Sequence, residues 1–315
     1  MQVMMAASAG FCYGVKRAVD MARETAKKCR HSVMLGSIIH NANVVAELEA
    51  LGMRKVDSWD QVRPGETVVI RSHGERKEVF ERLAAMGAAC VNATCPNVLR
   101  IQQLVAQAQE EGRTPLIIGE MHHPEVLGAA SWSERSVILP GPRELENWLN
   151  EEPSRRNMPL TATAQTTCVQ GIWESSKEIL KKQCTNAKIF DTICNATHRR
   201  QTEAAELAAQ VDVMVVVGDR KSANTKHLAE ICREKCGRVV QIERAGELSS
   251  ELFEGCLVAG LTAGASTPAG IIKEVYTTMS EEIKNMEPQE ESFEELLDKS
   301  FKTLNTGEKV TGIVT

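Results

Sequence analysis

Three cysteines stand at equivalent places in a repeated pattern. Cys12, Cys95 and Cys194 each follow a short apolar stretch and precede an amphipathic, helix-like segment. A cysteine at the start of a helix meets free amides and the positive end of the helix dipole, which favour the metal-binding thiolate. Separations of 83 and 99 residues are too long for local zinc or ferredoxin motifs. We therefore expect the fold to assemble the three thiols around one metal centre.

The number of cysteine ligands indicates the type of metal centre. A four-iron cluster held by three cysteines keeps one iron open for substrate. The other seven cysteines lie outside the repeat. Cys232 and Cys236 are helical neighbours without a third ligand, and we interpret them as packing residues. The remaining five, which we assign no role, are Cys29, Cys90, Cys168, Cys184 and Cys256.

Neutral polar residues end the later strands of each repeat. His40 lies 28 residues after Cys12, and the same offset from the cysteine returns at His123 and Ser222. Hydroxyl, imidazole and amide donors at helix N-termini hold phosphate oxygens without a Walker motif, which this sequence lacks. Capping and tight turns are the structural alternative for each residue taken singly. The predicted anion-binding set is His40, His73, His123, Thr166, Ser222, Asn224 and Ser266.

Glu125 adds a carboxyl group to this polar set. It follows His123 and Pro124 in the first turn of a predicted helix, where a Glu commonly stabilises the helix dipole. The alternative is that Glu125 lies beside a desolvated metal centre and relays protons, provided that burial keeps it protonatable.

The alternation of strands and helices predicts parallel α/β units, whose ligands gather outside the carboxyl ends of the strands. We expect an α/β trefoil of three small domains, related by a pseudo-threefold axis, with parallel sheets around the centre. The predicted domains are residues 1–96, 97–193 and 194–286. Packing of the N-terminal strand with the third domain, instead of the first, is left open. Residues 287–315 form an acidic linker and the start of a further segment.

Composition restricts the class of protein. With 43% hydrophobic residues and a net charge of -5, the chain can bury large cores and lacks the basic surface that nucleic acids require. It has neither an 18-residue apolar stretch nor a basic leader before its first apolar segment. We expect a cytoplasmic protein, where thiols stay reduced, with no membrane partner and no nucleic acid bound to the body of the chain.

Eight short motifs occur in the order typical of one enzyme family. They are GFCYGV, IIHN, RSHG, NATCP, HPEV, QTT, DTICNAT and LTAGAST. Over roughly residues 1–285 the sequence resembles the 4-hydroxy-3-methylbut-2-enyl diphosphate reductase family, also called IspH or LytB. The resemblance implies an oxidoreductase of the last step of the non-mevalonate (MEP) isoprenoid pathway. That reaction reductively dehydroxylates (E)-4-hydroxy-3-methylbut-2-enyl diphosphate to isopentenyl diphosphate and dimethylallyl diphosphate.

The same resemblance implies roles for individual residues. Cys12, Cys95 and Cys194 would bind a 4Fe-4S cluster whose open apical iron takes the substrate oxygen, and Glu125 would deliver protons with Thr166 beside the hydroxyl. Ferredoxin or flavodoxin would supply electrons. The residues that would hold the diphosphate are His40, His73, His123, Thr166, Ser222, Asn224 and Ser266.

The sequence departs from the family pattern at a few positions. RKSANT has Ala223 where the family often has a second serine, and Glu75 and His198 are less usual. The segment after residue 287 resembles the beginning of an S1-type RNA-binding domain, so RNA contact is expected only from a domain continuing beyond Thr315.

Two other functions fit parts of the sequence. One is a metallohydrolase with a three-cysteine zinc site that cleaves a phosphorylated substrate. The other is a redox-sensing or ribosome-associated binding protein, which the C-terminal segment suggests.

Overall fold

The strands form three parallel sheets of four strands each in the computed structural model, which describes residues 2–286. In chain order they are β1 (Gln2–Met5), β2 (Ser32–Leu35), β3 (Arg54–Val56), β4 (Thr67–Ile70), β5 (Ala89–Asn92), β6 (Thr114–Ile118), β7 (Val137–Leu139), β8 (Leu160–Ala164), β9 (Ala187–Ile189), β10 (Val213–Val217), β11 (Val239–Ile242) and β12 (Val258–Ala263). The predicted α/β class with three parallel units is confirmed.

Helices connect these strands and cover the sheets. They are α1 (Tyr13–Lys28), α2 (Ala42–Ala50), α3 (Lys77–Ala85), α4 (Pro96–Glu110), α5 (Pro124–Ala130), α6 (Pro142–Glu151), α7 (Gln170–Gln183), α8 (Asn195–Ala208), α9 (Ala223–Arg233) and α10 (Ala269–Met286). Within residues 2–286, no helix is long and apolar enough to cross a membrane.

The three sheets share one strand order. They read β3-β2-β4-β5, β7-β6-β8-β9 and β11-β10-β12-β1, so β1 fills in the third sheet the edge position that β5 and β9 fill in the others. β1 pairs in parallel with β12, from Gln2 opposite Val258 to Met5 opposite Leu261. The N-terminal strand therefore completes the last sheet, while the exact domain boundaries stay a prediction.

Each of the three repeat cysteines lies where the chain leaves one sheet and packs a helix against the next. After Cys12, α1 buries Val19 in the core around Met34 of β2. After Cys95, α4 packs against β6 and β8, and after Cys194, α8 joins the core around β10. Because these helices carry an apolar stripe at three- and four-residue spacing, each forms only when that face is covered by a sheet.

The repeat contains more elements than the sequence pattern predicts. The short edge strands β3, β7 and β11 and the helices α3, α6 and α7 were not predicted. The apolar run from Ser32 to Ile39 is strand only to Leu35, because Gly36 turns the backbone with a positive φ of 68°. The predicted last helix is α10, and the predicted linker and S1-like segment lie outside the described residues.

Candidate active site

One cavity of ≈ 660 Å³ lies where the strand ends of the three sheets meet the starts of α1, α4 and α8. Every residue of the predicted site lines it. From the sequence-based set, its walls carry Cys12, His40, His73, Cys95, His123, Glu125, Thr166, Cys194, Ser222, Asn224 and Ser266. Three repeats thus place their polar ends around a single space.

The three cysteines are the N-cap residues of α1, α4 and α8, as the sequence predicts. None of these three helices has an acidic residue in its first turn. Because the N-terminus of a helix carries a partial positive charge, each thiol faces a local field that favours negative sulfur.

Contacts between neighbouring repeats bring the helix starts together. A Cβ built on Gly14, in the first turn of α1, would lie 2.5 Å from the Sγ of Cys95. Asn97, in the first turn of α4, donates from Nδ2 to the Sγ of Cys194 at 3.1 Å. In both cases the first turn of a helix that begins at one cysteine contacts the cysteine of the next repeat.

Two arginines fix the backbone that precedes two of these cysteines. Arg17 of α1 donates from Nη1 to the carbonyl of Thr94 at 3.1 Å, one residue before Cys95. Arg200 of α8 donates from Nη2 to the carbonyls of Ser8 at 2.7 Å and Gly10 at 2.8 Å, in the loop that leads to Cys12.

The protonation of Cys95 differs from the sequence-based expectation of a stabilised thiolate. Burial raises the pKa of its thiol to about 11, although the backbone amides of Asn97 and Val98 lower it, and the Cys12 and Cys194 thiols raise it further. Desolvation therefore outweighs the helix N-terminus in the protein alone, and a bound cation is what favours deprotonation.

The three thiols do not form a compact single-ion site among the described residues. Among residues 2–286, no three or more His, Cys, Asp or Glu side chains form a group that could hold a single metal ion. The three cysteines nevertheless line one cavity from three separate helices. A multi-iron cluster takes one thiolate per iron, so cysteines that come from three separate helices suit such a group.

Three histidine rings form a second wall of the cavity. The ring centroids of His40 and His73 lie 4.5 Å apart, those of His73 and His123 5.7 Å, and those of His40 and His123 6.5 Å. Burial lowers the pKa of His40, lowers that of His73 well below its usual value, and lowers that of His123 to about 4. The three rings are therefore neutral at neutral pH, and each has one N–H donor.

Glu125 and Thr166 form a buried pair that lines the same cavity. The Thr166 backbone N–H donates to Oε1 of Glu125 at 2.6 Å, and the Thr166 hydroxyl donates to Oε2 at 2.7 Å. Burial raises the pKa of Glu125 to about 7, because the loss of solvation outweighs both hydrogen bonds, and Glu120 raises it further. The carboxyl group is thus protonatable near neutral pH, as a proton relay requires.

Several buried polar atoms of this cavity have no hydrogen-bond partner among the described residues. They are Nδ2 and Oδ1 of Asn224 and Nε2 of His40. Asn224 follows Ser222, whose hydroxyl caps α9 by accepting from the Thr225 amide at 3.4 Å. Leaving a buried polar group unpaired costs about 1–3 kcal/mol, so these atoms suit a polar ligand.

Five polar residues that line the cavity are absent from the predicted site: Ser72, Asn97, Thr167, Thr197 and Arg200. Ser72 lies within the RSHG motif and Thr197 within DTICNAT, so their neighbours could have pointed to them. Arg200 has a different signal: it lies four residues before Ala204, on the apolar stripe of α8, where a cation is unusual.

Comparisons with known proteins agree on one family. The sequence pattern described as LytB protein matches residues 3–280. A relative from Caldanaerobacter subterraneus subsp. tengcongensis, named 4-hydroxy-3-methylbut-2-enyl diphosphate reductase, is 38% identical over 300 residues, which are 93% of this chain and 100% of the relative.

Solved structures share the fold. The structure of an (E)-4-hydroxy-3-methyl-but-2-enyl diphosphate reductase, described as the terminal enzyme of the non-mevalonate pathway, has a TM-score of 0.65 and 35% identity, covering 89% of this chain and 100% of the other. The E-1-hydroxy-2-methyl-but-2-enyl-4-diphosphate reductase of Plasmodium falciparum has a TM-score of 0.82 at 24% identity, covering 89% and 88%.

Proposed function

Because the chain belongs to the LytB protein family, we propose that it reduces (E)-4-hydroxy-3-methylbut-2-enyl diphosphate to isopentenyl diphosphate and dimethylallyl diphosphate. The reaction consumes two electrons and two protons, replaces the allylic hydroxyl by hydrogen and releases water. One observation carries the proposal: a single cavity joins three N-cap cysteines, a buried protonatable carboxyl group and three neutral histidines. These groups match the needs of electron transfer, proton transfer and diphosphate binding.

Cys12, Cys95 and Cys194 are the residues that would hold a 4Fe-4S cluster. When bound, such a cluster supplies electrons and, at the iron without a cysteine, a Lewis acid for the substrate hydroxyl. The chain spaces the three thiols on three helix starts and gives Cys194 a hydrogen bond from Asn97. Hydrogen bonds to ligating sulfur are one means by which a protein adjusts a cluster's reduction potential.

Glu125 is the proton donor of the proposed mechanism. Oε1 accepts the Thr166 amide, so the acidic proton belongs on Oε2. When Glu125 is protonated, the 2.7 Å contact reverses its direction, and Oε2–H donates to the Thr166 hydroxyl oxygen. From there the proton passes through the Thr166 hydroxyl towards the substrate. Because the pKa of Glu125 is raised to about 7, the donor form predominates below that pH and is lost above it.

The diphosphate would bind at the histidines and at the start of α9. Its oxygens would give partners to the Asn224 amide and the buried His40 nitrogen, with Ser222 and Ser266 as hydroxyl donors. The negative charge would raise the pKa values of the three histidines, which burial lowers in the free protein. Binding would therefore take up protons from solution.

A small acidic electron carrier, such as ferredoxin or flavodoxin in the cytoplasm, is the proposed electron donor. Lys16 and Arg100 are exposed on α1 and α4, whose first turns contain no acidic residue. Opposite charges speed such encounters, which need to be only transient.

The zinc hydrolase and the redox-sensing binding protein remain the alternatives to test. An iron-sulfur protein purified without oxygen is brown with broad visible absorption, whereas Zn²⁺ has a filled d shell and gives no colour. A binding protein would carry the cluster without turning over the substrate.

The deciding experiment is anaerobic turnover of the hydroxymethylbutenyl diphosphate with dithionite-reduced viologen. We expect brown protein, viologen oxidation that depends on substrate, and both isomeric products. A colourless protein that contains zinc and releases phosphate would establish the hydrolase instead. Brown protein without substrate-dependent oxidation would leave the binding role.

A further inference from the structure

Arg200 is a buried cation whose hydrogen bonds all go to backbone carbonyls. Its side chain is 3% exposed, and Nε and Nη2 both reach the Ser8 carbonyl, at 3.1 and 2.7 Å. Nη2 also donates to Gly10 at 2.8 Å, and Nη1 donates to Ala196 at 3.3 Å. Carbonyl dipoles solvate the guanidinium group, but they do not neutralise its charge.

Arg199, the preceding residue of α8, differs from Arg200 in exposure and in ion pairing. The side chain of Arg199 is 68% exposed and forms an ion pair with Glu203 at 2.8 Å. Within residues 2–286, Arg200 has no ion pair with a carboxylate. A buried charge without a counter-charge is strongly destabilising, so a negative group is expected beside it.

Two of the cysteine thiols share the cavity with Arg200. Arg200, Cys12 and Cys194 line the same cavity, and Arg200 and Cys12 also line a shallow hollow on the outer surface. Burial lowers the pKa of Arg200, while Cys12, Cys194 and, after them, Glu203 raise it; Glu203 forms its ion pair with Arg199 instead. Arginine stays protonated despite such shifts, so its charge is permanent.

We propose that Arg200 is the counter-charge of the iron-sulfur centre and raises its reduction potential. The inference rests on the proposed function, because it needs a cluster on the three cysteines. A fixed positive charge at a site of low dielectric constant stabilises the state that has gained an electron. One electron passes from the external carrier to the cluster, the carrier is oxidised by the same amount, and no bond is made or broken in this step.

Arg200 also positions the first ligand. Its carbonyl contacts hold Ser8 and Gly10, and the Ser8 amide is held from the other side by Glu203 at 2.8 Å. The loop before Cys12 is thus tied to α8, which begins at Cys194. The charge and the tether can be separated, because lysine keeps the charge but cannot reproduce the branched contacts.

The test compares Arg200→Gln, Arg200→Lys and the matched control Arg199→Gln in anaerobically reconstituted protein. The readouts are iron content and the midpoint potential of the cluster, from a redox titration followed by visible absorption and electron paramagnetic resonance. We expect Arg200→Gln to lower the one-electron reduction equilibrium constant about tenfold or more, which is ~59 mV. Arg200→Lys keeps a potential near that of the unsubstituted protein with less iron bound, and Arg199→Gln changes neither quantity.

A potential for Arg200→Gln equal to that of the unsubstituted protein, at full iron content, would overturn the proposal and leave Arg200 as a tether. If the glutamine variant assembles no cluster, the lysine variant decides: an unshifted potential supports the charge, and a drop as large as tenfold refutes it. Unsubstituted protein that assembles no iron-sulfur cluster would instead refute the proposed function, so the two failures are distinguishable.

Discussion

The cavity has two walls that differ in how closely they follow the threefold repeat. The cysteine wall is formed by Cys12, Cys95 and Cys194, and the strand-tip wall is formed by the polar residues that follow the strands. On the cysteine wall all three repeats carry the same residue at the same structural position, the N-cap of a helix. On the strand-tip wall the equivalent positions differ. After the second strand of each unit they are His40, His123 and Ser222, and after β4, β8 and β12 they are His73, Thr166 and Ser266.

This difference follows from the symmetry of what each wall would bind. Under the proposed function, three irons of one cluster would need three equivalent ligands, which accounts for the uniform repeat there. A substrate with a hydroxyl at one end and a diphosphate at the other has no threefold symmetry, so the strand ends are free to specialise. The second unit supplies the acid Glu125 with Thr166, and the third supplies the hydroxyl and amide donors around Asn224.

The largest expected effect is the loss of a cysteine ligand. If each of the three cysteines binds the cluster, Cys194→Ser removes the cluster, and turnover falls by about 100-fold or more. Iron content and visible absorption check this result. Cys90→Ser is the matched control, because that thiol is exposed on β5 outside the cavity, and it should keep both colour and rate. Equal iron loss in both variants would contradict the special place of the three N-cap cysteines.

The next largest effect tests the strand-tip wall, where the three repeats carry different residues. Glu125→Gln should retain the cluster and diphosphate affinity but lose about 10²–10⁴ in kcat, because general acid catalysis typically contributes that much. In the unsubstituted protein kcat should fall as pH rises through about 7, where Glu125 ionises. The glutamine variant should lack that limb of the profile. A normal rate in Glu125→Gln would remove this carboxyl from proton delivery.

A smaller effect concerns the contact between repeats on the cysteine wall. Gly14→Ala puts a Cβ 2.5 Å from the Cys95 sulfur, and we expect about 10- to 100-fold weaker cluster retention. Gly171→Ala is the matched control: it too is the second residue of a helix, and nothing lies within 4 Å of its Cβ. Iron release to a chelator measures the difference. Equal release rates would show that the helix starts are less tightly packed than described.

The smallest effect separates ligand binding from stability on the strand-tip wall. Asn224→Leu removes two buried unpaired polar atoms, so the free energy of unfolding of the ligand-free protein should stay the same or rise by about 1 kcal/mol. Affinity for inorganic diphosphate should fall about tenfold. The control is Asn43→Leu, because Asn43 is also the second residue of its helix but is exposed. A strong loss of stability in Asn224→Leu would mean that Asn224 supports the fold.

Much of the cysteine wall could be predicted because it depends on local pattern. The apolar strand, the cysteine and the amphipathic helix recur with a fixed offset to the next polar tip, and each part has its own local signal. The edge strands β3, β7 and β11 could not be found in this way. They have three or four residues each, too few for a period to be visible, and they exist because β2, β6 and β10 offer an unpaired edge.

Charge states also depended on tertiary packing. No sequence pattern fixes the pKa of Glu125, because its value follows from how completely other units desolvate the carboxyl group. The same holds for Cys95, where the helix start predicted a thiolate and burial favours the thiol in the protein alone. Arg200 was overlooked because its partners, the carbonyls of Ser8 and Gly10, are almost 200 positions away in the chain.

The sequence by itself determined the repeat, the α/β class and the identity of the residues at each strand end, because these are set by local periodicity and residue chemistry. Only the tertiary structure decided that β1 completes the third sheet and that Gly14 and Asn97 contact the cysteines of other repeats. It also decided that a buried cation, Arg200, lines the same cavity as two thiols. Those features depend on which surfaces meet when three units close around one axis, and a linear pattern does not specify that packing.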